Sequence, residues 1–277
     1  MISAKQLHRA AMLSNGMYTS RAITRRWSCE NLYNDTHLFT RSVDLSRNLI
    51  GDVGHIKVAV TELGKDLYVG FSGTQDAEFW LYNINGEVAE LTGRYLFGKT
   101  YTAHLGFMDL TEEVFLKALK TLPENFKHWD DYDNVIFTGH SAGGAVAALM
   151  PFFIDSNHIV LRQKLKVIDY GSPRVWASKL KYPYERHRFQ HVLDIVPCTP
   201  LTWCGPLAGF SHTGTAHWTT EDYSVIDKPP WYRIFKMLWR YGRGIFTLTA
   251  AQKAMKYHSS HQYSSTVLAN YFKDSDL

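Results

Sequence analysis

The run Asn134-Val135-Ile136-Phe137-Thr138-Gly139-His140-Ser141-Ala142-Gly143-Gly144 sets the plan of this chain. Apolar and β-branched residues lead into Gly-His-Ser-Ala-Gly-Gly, and the small apolar segment Ala145-Val146-Ala147-Ala148-Leu149-Met150 follows. That order reads as a buried strand, a turn too tight for side chains, and a packed helix. On such a turn Ser141 sits on a strained backbone with its hydroxyl exposed. Gly139 and Gly143 are small because bulk there would strike the neighbouring strand and helix. The first N–H groups of the helix, at its positive dipole end, then face a developing oxyanion. Composition alone produces Gly-x-Ser-x-Gly in roughly one in ten chains of this length. The flanking strand and helix separate this one from a glycine-rich turn.

A chain of 277 residues can bury a large core, and with no repeat, low-complexity tract or linker, residues 1–277 read as one domain. Hydrophobic residues at 45% and charged residues at 20% give a globular balance. The net charge of +4 permits attraction to anionic surfaces without arguing for nucleic acid, and no nucleic-acid motif appears. The three cysteines, Cys29, Cys198 and Cys204, cannot all pair internally, which excludes a disulfide framework. Cys198 and Cys204 can bridge in an oxidising compartment; buried thiols are the alternative. Met1 to Arg9 lacks the unbroken apolar core of a secretory signal, and no run reaches the ~18 apolar residues of a membrane span. The expectation is a soluble chain, cytoplasmic or released by a route without a signal.

Along the chain, Ala4, Leu7, Ala10, Ala11 and Tyr18 predict an N-terminal helix through Ser14. Residues 19–50 show no period and read as irregular covering structure. His55–Thr61 and Asp66–Phe71 read as strands joined by a turn at Leu63-Gly64-Lys65. Met108 to Leu122 reads as a helix stopped by Pro123. Lys166–Tyr170 and Phe189–Leu193 read as further strands, the second ending at Asp194. Alternation of strands and helices predicts an α/β fold, a central, mostly parallel sheet flanked by helices. In such sheets chemistry collects at the carboxyl ends of strands, and Thr74, Ser141, Gly171 and Asp194 each fall just after one.

A serine hydroxyl is a poor nucleophile until a histidine removes its proton and an acid orients that histidine. Asp194, at the end of an apolar segment with Pro197 shortly after, is the candidate acid, and Asp169, inside a strand, is its rival. For the base, Tyr257-His258-Ser259-Ser260-His261-Gln262-Tyr263 offers His258 and His261, and the residues alone do not separate them. His187, His191, His212 and His217 precede or crowd the acid and are less natural third members. No metal or cofactor is expected. His187 and His191 lie four apart but lack a Glu-bearing zinc motif.

These residues resemble the class 3 lipase family, which includes fungal triacylglycerol lipases on the α/β-hydrolase fold, and the likeness runs from the N-terminal helix to Tyr263. Val135 to Gly144 resembles the family's serine signature, with Ala142 where leucine is commonest. Gly73-Thr74 followed by Trp80 is similar to its oxyanion segment, which implies Thr74 and the backbone N–H of Ala142 as oxyanion donors. His104-Leu105-Gly106-Phe107, Gly171-Ser172-Pro173-Arg174-Val175 and Asp194-Ile195-Val196-Pro197 are similar to further family segments, the last its acid site. His258-Ser259 with Tyr263 resembles its His-Ser-x-x-x-Tyr, which favours His258 over His261. The chain departs from the family pattern at Ser72, where arginine is usual, and at Phe79, where Asp or Asn is usual.

The resemblance implies a serine hydrolase cleaving carboxylic esters of acyl lipids through Ser141, His258 and Asp194. It also implies a lid over residues 79–96, with Trp80, Leu81 and Tyr82 as shielding residues; an ordinary covering segment is the alternative. A phospholipase or short-chain carboxylesterase is the neighbouring reading. A catalytically silent hydrolase fold used as a binding module is the rival from another class. At helical spacing Trp231, Ile234, Phe235, Leu238 and Ile245 share one face, while Arg233, Lys236, Arg240 and Arg243 share the opposite one. Residues 231–246 therefore suit peripheral contact with an anionic lipid surface; a helix packed on the sheet with a solvated basic face is the plainer reading.

Overall fold

The computed structural model describes residues 1–18, 38–43, 56–74, 88–91, 101–120, 122, 126–154, 162–177, 182–200, 209–232 and 257–271. Strand β6 (Asn134–His140) lies at its centre, buried from Val135 onward. It pairs in parallel with β3 (Asp66–Phe71) on one side and β7 (Leu165–Tyr170) on the other. Beyond β7, β8 (Glu185–His191) and β9 (Thr215–Thr219) continue in parallel. Antiparallel strands finish both ends: β1 (Leu38–Val43) and β2 (Ile56–Leu63) beyond β3, and β10 (Val225–Ile226) beyond β9. The order is β1-β2-β3-β6-β7-β8-β9-β10, while β4 (Val88–Leu91) pairs separately with β5 (Tyr101–His104).

Side chains alternate across this sheet with the two-residue period of a pleat. Leu67, Val69, Phe71, Val135, Phe137, Leu165 and Val167 face one core, beneath α2 (Leu105–Val114) and α3 (Ala142–Ile154). Tyr68, Ile136, Ile168, Tyr170 and Phe189 face the other, against α1 (Ala4–Gly16) and α4 (Ser260–Tyr271), which pack on each other. Every residue of α3 is buried, as expected of a helix apolar on all sides. Phe152 on α3 packs its ring against Trp176, Tyr182 and Tyr184 at centroid distances of 5.0, 5.5 and 5.1 Å. No helix among the described residues is long and apolar enough to cross a membrane.

The α/β arrangement follows the expected plan, with differences that have physical reasons. Within the stretch read as irregular, Leu38–Val43 is a strand. It is an edge strand held by pairing with β2 rather than by a pattern of its own. The helix read from Met108 begins at Leu105 and turns π-helical over Phe115–Leu119. The strand before the acid is Glu185–His191, four residues earlier than its apolar stretch indicates. Arg186 and Arg188 mask its pattern because they are buried charges, where periodicity expects apolar residues. Strands β9 and β10 and helix α4 carry no clear sequence signal, and tertiary pairing makes them.

Close approach of backbones fixes the elbow. A Cβ at Gly139 would lie 2.3 Å from the Gly143 carbonyl oxygen, and one at Gly143 would lie 2.3 Å from Phe71 O and 2.6 Å from Ser72 O. Gly64, by contrast, has φ +69 in the β2–β3 turn and open space around it. Gly143→Ala is therefore expected to lower the unfolding free energy by about 3 kcal/mol or more. Gly64→Ala should cost only about 1 kcal/mol, for its left-handed backbone. Urea denaturation of both variants checks the contrast.

Candidate active site

Parallel pairing brings the ends of four strands to one edge. Phe71 lies opposite Gly139, His140 opposite Tyr170, and Tyr170 opposite Phe189. Ser72–Thr74, Ser141, Gly171 and the turn to Asp194 therefore share that edge. Ser141 has φ 58, a strained value for a side-chain-bearing residue. Its N–H donates to Tyr170 O at 3.0 Å, and its carbonyl accepts from Gly144 N–H at 2.9 Å as α3 begins. Ala142 is the first residue of α3 and is buried, so its N–H belongs to the first turn, where backbone donors lack intrahelical acceptors.

Asp194 is fully buried and accepts hydrogen bonds at both oxygens. Its Oδ2 lies 2.7 Å from His258 Nδ1 and accepts from the Tyr263 hydroxyl at 2.6 Å; its Oδ1 accepts from Val196 N–H at 2.9 Å. A buried carboxylate is tolerable only with such partners. Because the Nδ1–H of His258 donates to the carboxylate, Nε2 of the neutral ring is left as the acceptor. That Nε2 is buried and makes no hydrogen bond to any described residue, Ser141 included. Catalytic hydrogen bonds are often unformed before substrate binds. Gly171, with φ +57, fits closely over the pair: a Cβ there would be 3.0 Å from Asp194 Oδ2 and from His258 Nδ1.

The other candidates lie elsewhere. His261 is exposed on α4. Asp169 is bound to Arg186 Nε at 2.7 Å on the opposite side of its strand from Tyr170. His187 Nδ1 meets His217 Nε2 at 2.8 Å, and His212 Nε2 lies 2.7 Å from Pro197 O. His191 Nδ1 accepts from Leu193 N–H at 3.1 Å. Cys198 is half-buried in a 3-10 turn, while Cys29 and Cys204 lie outside the described residues. Among the described residues no group of three His, Cys, Asp or Glu is placed to hold a metal.

In the loop that follows β3, Thr74 is buried and its Oγ1 has no hydrogen-bond partner among the described residues. Ser72, the position noted above as a departure from the family pattern, ties its loop to β2. Its hydroxyl accepts from Lys57 N–H at 2.8 Å and its N–H donates to Lys57 O at 2.9 Å. Trp80, Leu81 and Tyr82 lie outside the described residues; Val88–Leu91, also within the expected lid, is a strand paired with β5.

Sequence reading missed Tyr18 and His140. The Tyr18 hydroxyl accepts from Gly73 N–H at 2.9 Å and lies 2.7 Å from His140 Nδ1. The His140 ring in turn lies 4.4 Å, centroid to centroid, from that of His258. Position 140 was visible as part of the motif, but nothing local links it to a tyrosine 122 residues away. Tyr263 was visible only as part of a pattern, and its bond to Asp194 emerges from the packing of α4.

Residues 68–203 match the protein family described as Lipase (class 3). A lipase of Rhizomucor miehei is 29% identical over 174 residues, 60% of this chain and 45% of that protein. A secreted mono- and diacylglycerol lipase of Fusarium solani is 26% identical over 217 residues, 72% of this chain and 58% of that protein. The chain thus spans about half the length of these relatives. The structure of a Rhizomucor miehei triacylglyceride lipase superposes with a TM-score of 0.62 over 93% of this chain and 96% of that one, at 20% identity, and so shares its α/β-hydrolase fold.

Burial holds the His140 pKa well below 6.5, and the adjacent His258 lowers it further. Burial, then Arg188 and Arg186, does the same for His212. Burial, then His187, brings His217 down to about 4. Above pH 6.5 these rings are neutral in folded and unfolded chains alike. As pH falls below 6.5, the unfolded chain takes up protons that the fold refuses, so stability declines. The urea midpoint should be flat between pH 7 and 8 and fall from pH 6.5 to 5. His212→Gln should reduce that slope.

Proposed function

We propose that this chain, whose residues 68–203 match the class 3 lipase family, is a serine hydrolase cleaving the carboxylic esters of acyl lipids. The buried Asp194–His258 pair at 2.7 Å, beside a strained serine at a helix start, carries the reading. His258 Nε2 takes the proton of Ser141 as Oγ attacks the ester carbonyl, and negative charge moves to the former carbonyl oxygen. That oxyanion is held by donors at Thr74 and by the Ala142 N–H, which strengthen as charge develops. The imidazolium gives its proton to the leaving alcohol, and the acyl–serine ester remains. Water then loses a proton to His258 and attacks the acyl carbon; the proton returns to Ser141 as the acid departs. Asp194 keeps its charge throughout and steadies the imidazolium. The Tyr263 hydroxyl and the Val196 N–H hold that carboxylate in place.

The relatives' names, a lipase and a mono- and diacylglycerol lipase, favour acylglycerols as substrates. Contact with a lipid surface through residues 231–246 is supported at the start of that segment, where Trp231 is 83% and Tyr232 47% exposed. Exposed aromatics of this kind insert at a lipid–water boundary. The remainder of that segment, from residue 233, lies outside the described residues.

A fluorophosphonate probe should label the wild-type chain and not Ser141→Ala, with hydrolysis of p-nitrophenyl esters falling about 10⁴-fold in the variant. A chain that is neither labelled nor active is a binding module, and the reading fails. Rates on butyrate against palmitate esters, triolein and phosphatidylcholine separate lipase from esterase and phospholipase. Trp231→Ala with Tyr232→Ala should weaken retention on anionic liposomes and leave turnover of p-nitrophenyl butyrate unchanged.

A further inference from the structure

We propose that Tyr18 is a positioning residue that ties the oxyanion loop to the imidazole packed on the base, through one hydroxyl bonded to both Gly73 and His140. The proposal rests on the hydrolase reading of Ser141 and His258. Tyr18 follows the end of α1, where its own N–H donates to Asn15 O at 3.2 Å. Its hydroxyl reaches the space that a side chain at position 73 would fill: a Cβ on Gly73 would lie 2.2 Å from that oxygen and 3.0 Å from the Cβ of Ser141. Glycine at 73 therefore lets the tyrosine oxygen come within 2.9 Å of the backbone N–H next to Thr74.

The direction of each bond follows from the inventory of donors. Gly73 N–H can only donate, so the Tyr18 oxygen accepts it. Burial pushes the phenol well above its ordinary pKa, so the hydroxyl keeps its proton. Among the described residues the acceptor for that proton is His140 Nδ1, at 2.7 Å. His140 is then a neutral ring with its hydrogen on Nε2. Its plane is tilted 35° to that of His258 at a centroid separation of 4.4 Å. A neutral ring can lie against the imidazolium that forms on His258 without repelling it, and its π-face favours a nearby cation. One hydroxyl thus sets the spacing between the loop that receives the oxyanion and the ring that receives the proton. Both positions count only when charge develops, so loss of this link should slow the chemical step while leaving ground-state binding intact.

The test is a double-mutant cycle on p-nitrophenyl butyrate hydrolysis, with thermal unfolding of each variant as a check on folding. Tyr18→Phe is expected to lower kcat about tenfold with KM within about twofold, and to weaken inhibition by an alkyl boronic acid in parallel. His140→Phe keeps a ring packed on His258 but removes the acceptor, and should lower kcat in the same way. The double variant should be no slower than Tyr18→Phe, since the two share one bond. Tyr18→Phe in the His140→Phe background should leave kcat unchanged within about twofold, because the bond is already absent there. Wild-type kcat in Tyr18→Phe, or additive losses in the double variant, would each overturn the positioning role. Fluorophosphonate labelling of wild-type Ser141 is scored separately: an unlabelled, inactive wild type ends the hydrolase reading and this proposal with it. A labelled, active wild type with an unaffected Tyr18→Phe ends this proposal alone.

Discussion

Between the carbonyls of Phe71 and Ser72 at the end of β3 and the first turn of α3 there is no room for a single side-chain carbon. That contact, with the equally close approach of Gly139 to Gly143, forces the chain to reverse from strand into helix over one residue. Ser141 is the residue left at the bend, and its positive φ is the consequence. Backbone strain of this kind persists only where the surroundings over-determine it. Here they do: β6 is paired on both edges and α3 is buried along its whole length. The position of Ser141 is thus a product of backbone packing, before any side chain is considered.

The charge beside it obeys a different constraint. Asp194 and His258 are almost completely withdrawn from solvent, where an unpaired carboxylate would be costly. Three donors meet that carboxylate, from His258, Tyr263 and Val196. The rival acid, Asp169, faces the opposite core and is neutralised by Arg186. The two buried carboxylates therefore have different partners: Asp169 pairs with Arg186, and Asp194 meets the imidazole of His258. Gly171, with no side chain, allows that imidazole to lie against the strand end.

The helices on the second face supply the remaining support in matching fashion. From α4, the Tyr263 hydroxyl accepts the N–H of His191 and donates to Asp194. From the end of α1, the Tyr18 hydroxyl accepts the N–H of Gly73 and meets His140. Each tyrosine fastens a strand-end backbone to a ring or carboxylate of the site. The two helices pack on each other, and the Ser260 hydroxyl on α4 donates to Asn15 Oδ1 on α1 at 2.8 Å. Movement of this helix pair would therefore be felt at both Asp194 and Gly73.

The sequence alone determined what depends on near neighbours. The elbow was legible because strand, turn and helix occupy consecutive residues, and a turn with no room for side chains leaves glycines behind. The α/β plan was legible from alternating periodicities, and local motifs carried by a family likeness picked out Asp194 and His258, two side chains that meet at 2.7 Å in the fold. Tertiary structure decided the rest. The strand before Asp194 hides in sequence because Arg186 and Arg188 are buried charges, intelligible only beside Asp169. The edge strand Leu38–Val43 exists through its partner, and its own pattern gave no sign of it. Tyr18 and Tyr263 reach the site from 122 residues before His140 and 69 after Asp194. A hydrogen bond between groups that far apart leaves no periodicity behind, because only the folded chain brings donor and acceptor within 3 Å.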